Sequence, residues 1–236
     1  MSSTGRKRAQ LALLPGGEYV RHERDYYRTP TWCADALLLR EPIHGPVLDA
    51  GCGTGAITEV LLAHQVGDVI GMDITILHET SSAPELQDAL LLVHDFLAED
   101  WERSWRPLLP AVHAVVMNPP YNQAPDFIRR ALDLVEPGGK VCALLRLNFL
   151  GSSRARMDLV GYDCDLRRVY VLGARPSFLP NGKTDSAEFA WFVWERGPAM
   201  GWTSQATIEV IPPPARAGGD DDERQLELPG GADDEG

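Results

Sequence analysis

The hexapeptide Val116-Met117-Asn118-Pro119-Pro120-Tyr121 ends an apolar run with an amide, two prolines and a phenol ring. Asn118 offers a side-chain carbonyl as an acceptor. Pro119 offers a backbone carbonyl with no N–H of its own, and the tandem prolines stiffen the corner, so both oxygens are placed in advance. Two fixed acceptors suit one chemical problem, methylating a planar, conjugated amine. The lone pair of such an amine is delocalised into its ring, and a general base gains little because the free amine is hardly acidic. Acceptors that draw its N–H bonds out of plane return the lone pair to nitrogen. Tyr121 adds an aromatic face on which an extruded base can stack. An isolated Asn-Pro-Pro also serves as a plain strand-ending turn, so the surrounding sequence has to decide.

A second chemical segment lies upstream. Val-Leu-Asp-Ala-Gly-Cys-Gly-Thr-Gly begins at Val47 and places Asp49, Gly51, Gly53 and Gly55 where a strand gives way to a helix. Glycines there permit a tight turn and a close backbone approach to a ligand. No Lys-Ser/Thr pair follows, which excludes a phosphate-gripping P-loop. Asp73 ends the next strand, about 20 residues on, where an acid accepts hydrogen bonds from ribose hydroxyls. These features leave a dinucleotide or S-adenosylmethionine as the ligand.

The elements that position these groups read as repeated βα units. Strands are predicted at 46–50, 68–74, 90–96, 111–118, 138–149, 167–173 and 187–195, and helices at 55–65 and 124–136, with a helical stretch near 84–89. Continuous apolar strands imply a sheet covered on both faces. The expected fold is α/β: a doubly wound, mostly parallel seven-stranded sheet with an antiparallel last strand. Three regions are expected: a flexible arm over 1–24, a folded domain over 25–211 and a disordered acidic tail over 212–236.

The run Asp49–Gly55 resembles the first motif of class I S-adenosylmethionine methyltransferases, which have a Rossmann-like fold. The resemblance implies that Asp49, Gly51, Gly53 and Gly55 lie along the cofactor and that Asp73 binds its ribose. Asp95 matches the position that holds the adenine amine, with Phe96 against the ring; a helix N-cap is the other role open to Asp95. Together with Asn118-Pro119-Pro120-Tyr121, the chain resembles the N6-adenine DNA methyltransferases of phage and plasmid type. Asp-Tyr-Tyr-Arg-Thr-Pro at 25–30 is similar to that group's N-terminal motif, which makes Tyr26, Tyr27, Thr29 and Pro30 candidates for walling the cofactor's methionine end. Thr29-Pro30 also reads as a helix start. The stretch 175–197 is similar to the group's late hairpin and offers Phe178, Asn181, Lys183 and Thr184 as contacts to the target base or its phosphates. The implied activity is methyl transfer from S-adenosylmethionine to adenine N6 in DNA. No large recognition domain follows the hairpin, so sequence specificity is expected to be short, relaxed or supplied by a separate subunit. An RNA base methyltransferase is an alternative, as is a protein glutamine methyltransferase, although only about 45 residues precede the glycine motif where that family carries a helical domain.

Composition bounds the rest. The chain has 236 residues, 44% hydrophobic and 24% charged, as in an ordinary globular protein. No apolar run approaches the roughly 20 residues of a membrane span, and the apolar patch near the N-terminus is too short for a signal peptide. A cytoplasmic protein of a prokaryotic or phage-infected cell is expected. Cys33, Cys52, Cys142 and Cys164 form no metal-binding pair, so buried thiols are expected and no metal. Net charge is −12, of which residues 212–236 hold −6, while 129–183 carries ten bases and five acids. Within that basic stretch and at its ends, Arg129, Arg130, Arg154, Arg156, Arg167, Arg168, Arg175 and Lys183 are candidates for phosphate contact. The spacing does not set the oligomeric state.

Overall fold

A computed structural model describes residues 10–13, 28–75, 84–100, 106–151, 153–161, 164–178, 187–197 and 206–213. Among these residues nine strands form one sheet: β1 (Gln10–Leu13), β2 (Val47–Ala50), β3 (Val69–Asp73), β4 (Leu90–Val93), β5 (Ala114–Met117), β6 (Lys140–Arg146), β7 (Leu166–Leu172), β8 (Phe189–Glu195) and β9 (Thr207–Ile211). Their order across the sheet is β1-β4-β3-β2-β5-β6-β8-β7-β9. All neighbours are parallel except β8, which runs antiparallel to both β6 and β7. The helices are α1 (Thr31–Leu38), α2 (Ala56–Ala63), α3 (Ala124–Leu134) and α4 (Met157–Val160).

The expected seven strands are β2 to β8, so the doubly wound α/β reading holds for the centre of the sheet. Two further strands correct the count. Gln10–Leu13, within the stretch read as an arm, pairs in parallel with β4. Thr207–Ile211 pairs in parallel with β7 along its whole length. Both are edge strands, held by backbone hydrogen bonds that leave little trace in an apolar pattern. In β9 only Ile211 is buried, while Ile208 and Val210 are well exposed. The helical stretch near 84–89 is a single short turn at Pro84–Leu86.

Side chains alternate between two cores, as the pleat requires. Along β8, Ala190, Phe192 and Trp194 face α3 and α4, and Phe189, Trp191 and Val193 face α1 and α2. The buried indoles are satisfied: Trp191 Nε1 donates to the Cys33 carbonyl at 2.7 Å and Trp194 Nε1 to the Leu159 carbonyl at 2.8 Å. All four cysteines are buried and lie outside any disulfide. In α3 the residues Phe127, Ile128, Ala131 and Leu134 are buried while Asp126 and Asp133 are exposed, the one-sided pattern that seats a helix on a sheet. No helix among the described residues is long and apolar enough to cross a membrane.

At the N-terminal ends of the strands a buried ionic cluster joins the end of α1 to β6 and β7. Glu41, just beyond α1, is only 2% exposed. Its carboxylate accepts from Arg168 Nε at 2.6 Å and Nη2 at 2.8 Å, from Lys140 Nζ at 2.6 Å and from the Tyr170 hydroxyl at 2.9 Å. Burial alone would raise the Glu41 pKa, but the hydrogen bonds from Arg168 and Lys140 outweigh it and hold the group below the ordinary carboxylate range. Removing one partner from such a cluster leaves the others charged and desolvated. Glu41→Ala is expected to cost about 3–5 kcal/mol in urea unfolding. Because the folded pKa is depressed, this stabilisation is present above the ordinary carboxylate pKa. It is lost as pH falls through the depressed value, and an acid titration of the unfolding midpoint checks the sign.

Candidate functional site

The parallel strands β2, β3, β4 and β5 deliver their C-terminal ends to one edge of the sheet. Strand order reverses at β2: β3 lies on one side and β5 on the other. Connections that leave in opposite directions open a crevice there. A cavity of about 350 Å³ occupies it, lined by the glycine loop, Asp73, His94 to Phe96, and Asn118 to Gln123.

The glycine loop is built on two buried acids. Gly51 and Cys52 donate their N–H groups to the Met72 carbonyl at 2.7 and 2.9 Å, which splices the loop onto the end of β3. Asp73 accepts from the Gly53 N–H at 2.9 Å and the Thr75 N–H at 3.1 Å, so its carboxylate holds the loop as well as facing the cavity. Asp49 Oδ2 accepts from the Thr58 N–H at 3.0 Å and the Thr58 hydroxyl at 2.7 Å, tying β2 to α2. Asp49 Oδ1 is buried and has no hydrogen-bond partner among the described residues. Burial pushes the Asp49 carboxyl up to about 7; the Thr58 hydrogen bonds oppose the rise and the charge of Asp73 adds to it.

Gly51 has φ +78°, and a Cβ there would meet only Phe127, at 3.7 Å, so its positive φ shapes the turn beside open space. Gly55 has φ +79°, and a Cβ would fall 2.5 Å from Leu86 Cδ1. It therefore serves close packing at the α2 N-terminus rather than the cavity wall, which it does not line.

Across the crevice, Asp95 Oδ1 accepts from the Leu97 N–H at 2.8 Å, a turn bond that leaves the exposed carboxylate at the cavity edge. Phe96 is 2% exposed and packs on Phe127, with ring centres 5.2 Å apart. Arg130 Nη1 donates to the Ala98 carbonyl at 3.2 Å and the Phe96 carbonyl at 3.4 Å, anchoring this turn to α3.

The Asn118 corner follows β5 directly. Asn118 Nδ2 donates to Thr29 Oγ1 at 3.0 Å, and Thr29 is only 5% exposed. One end of the amide is thus committed to the segment before α1, which leaves Oδ1 as the end available to accept. Tyr121 rests against Phe189 with ring centres 6.0 Å apart, and the Arg146 guanidinium carbon lies 4.9 Å from the Tyr121 ring centre.

The structure thus brings together Thr29, Asp49, Gly51, Gly53, Asp73, Asp95, Phe96 and Asn118 to Tyr121 around one cavity. Pro30 caps α1 and does not line it. Phe178, read as a contact to a target base, is 7% exposed and packs edge-on against Phe189 at 4.9 Å, behind Tyr121. Tyr26, Tyr27, Asn181, Lys183 and Thr184 lie outside the described residues. The sequence reading passed over Thr54, His94, Gln123 and Phe127, which line the cavity, and Arg146 beside it. Only their nearness to motif residues hinted at them. Among the described residues no group of three or more His, Cys, Asp or Glu could hold a metal ion.

Most of the arginines considered for phosphate contact are engaged elsewhere. Arg129 bonds Asp158 and Asp126, Arg168 bonds Glu41 and Glu195, and Arg175 bonds Glu188. Arg156 and Arg167 reach backbone carbonyls.

No protein-family model and no curated protein matches the chain. Solved structures do match in fold. A Listeria monocytogenes protein described as a class I S-adenosylmethionine-dependent methyltransferase aligns with a TM-score of 0.55 at 14% identity, over 82% of this chain and 68% of that one. An Agrobacterium tumefaciens protein described as an O-methyltransferase aligns with a TM-score of 0.52 at 17% identity, over 78% and 85%. The M protein of the type I restriction enzyme EcoKI aligns with a TM-score of 0.50 at 16% identity, over 75% of this chain and 45% of that one. The chain has the Rossmann-like fold of the class I methyltransferases, with its cavity at the sheet's switch point.

Proposed function

We propose that the chain transfers a methyl group from S-adenosylmethionine to the N6 amino group of adenine in DNA. The observation that carries this reading is the Asn118–Tyr121 corner, set on the same cavity as the glycine loop with the Asn118 amide oriented by Thr29. A methylation site on an aromatic amine needs acceptors at the amine and a face for the base, and this corner has both. The M protein of the type I restriction enzyme EcoKI shares the fold and fits the same reading.

The residues present fit the cofactor. The glycine loop allows a close backbone approach, Asp73 and Asp95 offer carboxylate acceptors, Phe96 and Phe127 an aromatic wall, and Asp49 an unmatched buried acceptor. The cofactor supplies a methyl group made electrophilic by its sulfonium. The chain's own part is positional. Asn118 Oδ1 and the Pro119 carbonyl accept the two amino protons of adenine and localise its lone pair. The prolines keep those oxygens in place without reorganisation, and Tyr121 supports the ring. No residue is required to remove a proton before transfer, because the amine attacks as a neutral nucleophile and sheds its proton afterwards. A separate specificity subunit and a cytoplasmic setting accompany this proposal.

Three outcomes test it. With radiolabelled S-adenosylmethionine and unmethylated DNA, RNA or bulk protein, the label is expected in N6-methyldeoxyadenosine, and Asn118→Ala lowers the rate roughly 10²–10³-fold. Label confined to RNA or to protein glutamine would reject the substrate assignment. Thr29→Val, which keeps the shape but loses the acceptor, is expected to lower kcat about tenfold with little change in the KM for cofactor, while Thr29→Ser restores the rate. A change confined to the cofactor KM would instead place Thr29 on the cofactor. Finally, the cofactor carries a cationic amine, which favours ionised Asp49. Calorimetric affinity for S-adenosylmethionine is expected to rise with pH through about 7, and Asp49→Asn flattens that profile.

A further inference from the structure

Helix α3 begins just after Tyr121 and touches the turn that carries Asp95. The Gln123 N–H at its cap donates to the Pro120 carbonyl at 2.9 Å, which fixes the start of the helix to the Asn118 corner. Farther along, Phe127, Ile128, Ala131 and Leu134 seat it on the sheet, and Arg129 braces it to Asp158 at 2.7 Å. The turn at Asp95 is shaped by bonds within itself. The Leu97 N–H donates to Asp95 Oδ1 at 2.8 Å and the Ala98 N–H to the Asp95 carbonyl at 3.1 Å. Such bonds set the form of a turn and not its place.

Two side chains of α3 tie this turn to the helix. Phe127 and Arg130 stand three residues apart and so share one helix face. Phe127 packs on Phe96, with ring centres 5.2 Å apart. Arg130 Nη1 donates to the Phe96 carbonyl at 3.4 Å and the Ala98 carbonyl at 3.2 Å. These two carbonyls flank Leu97, so one charged nitrogen spans the turn with charge-assisted bonds. We infer that Arg130 is a positioning residue for cofactor selection: by clamping the turn onto α3, it holds the Asp95 carboxylate where the adenine amine of S-adenosylmethionine is recognised. Arg130 does not line the cavity and therefore acts through Asp95, not on the ligand. The inference rests on the reading that Asp95 takes that amine. Asp95 is exposed, and an exposed turn that keeps its shape but shifts as a unit misaligns its acceptor, which weakens a hydrogen bond steeply. The clamp makes that acceptor a fixed one. It also places both ends of the reaction on one helix, because about two turns of α3 separate the bond to Pro120 from the bonds of Arg130.

The test is calorimetric binding of two ligands to the full chain: S-adenosylhomocysteine, and the purine analogue of it in which hydrogen replaces the adenine amine. The wild type is expected to bind S-adenosylhomocysteine about tenfold more tightly than the analogue. Arg130→Met is expected to lose most of that preference by weakening S-adenosylhomocysteine alone, as does Asp95→Asn. The double variant is expected to be no worse than Asp95→Asn, because both changes act on one contact. Arg129→Gln, on the same helix but bonded to Asp126 and Asp158, is expected to keep the preference. Thermal melts report folding, and Arg130→Gln repeats the measurement if methionine unfolds the chain. Unfolding of both variants would make Arg130 a structural residue and overturn the inference. So would equal weakening of the two ligands, an unchanged preference in Arg130→Met, or the same loss in Arg129→Gln, and each of these leaves the reading of Asp95 intact. A wild type that binds the two ligands equally would overturn the reading of Asp95 and the inference with it. Binding of neither would overturn the assignment of the cavity to the cofactor.

Discussion

Parallel pairing of β2 with β3 on one side and β5 on the other is the constraint from which the site follows. Parallel strands cannot be joined by a tight turn, so each connection crosses a face of the sheet and every strand ends at the same edge. The loops after β2, β3, β4 and β5 therefore meet, although Asp49 and Asn118 are 69 positions apart in the chain. Where the crossing direction changes, a crevice opens between the loops. The cavity is a product of the winding: strand register brings its lining segments together, and local turns at the strand ends shape each of them.

Charge is handled differently at the two ends of the strands. At the N-terminal ends Glu41 is buried with Arg168, Lys140 and Tyr170 as partners, so its negative charge is fully met. At the C-terminal ends Asp49 is buried with one oxygen satisfied by Thr58 and the other by nothing among the described residues. A carboxylate that folding leaves half-satisfied is a cost to the free protein that a complementary ligand can offset. The contrast separates an ion cluster that joins elements from a buried acid on the cavity with one acceptor unmatched among the described residues.

The Asn118 corner is tied to distant chain on both sides. Thr29 holds the amide from the segment before α1, and Phe189 and Arg146 hold Tyr121 from the antiparallel pair β6 and β8. The prolines stiffen the backbone, but they cannot decide which end of an amide faces the cavity or what covers a ring. Those choices come from residues 89 positions upstream of Asn118 and 25 positions downstream of Tyr121.

Much of this was legible in sequence. The alternation of apolar strands and amphipathic α3 determined a doubly wound sheet, because a strand buried on both faces has to be apolar along its length. The meeting of Asp49, Gly51, Gly53, Asp73 and Asn118 to Tyr121 at one cavity was legible because each sits at or just past a strand end, and strand ends share one edge in this fold. The tertiary structure decided the rest. It added β1 and β9, whose edge pairing depends on backbone bonds that composition does not encode. It put Phe178 behind Tyr121 and paired Arg129, Arg168 and Arg175 with acids, because a charged or aromatic residue takes its role from what lies across the packing, not from its own type. It also placed Arg146 on Tyr121 and Thr29 on Asn118. Both contacts join elements far apart in the chain, and only the register of the folded sheet brings them together.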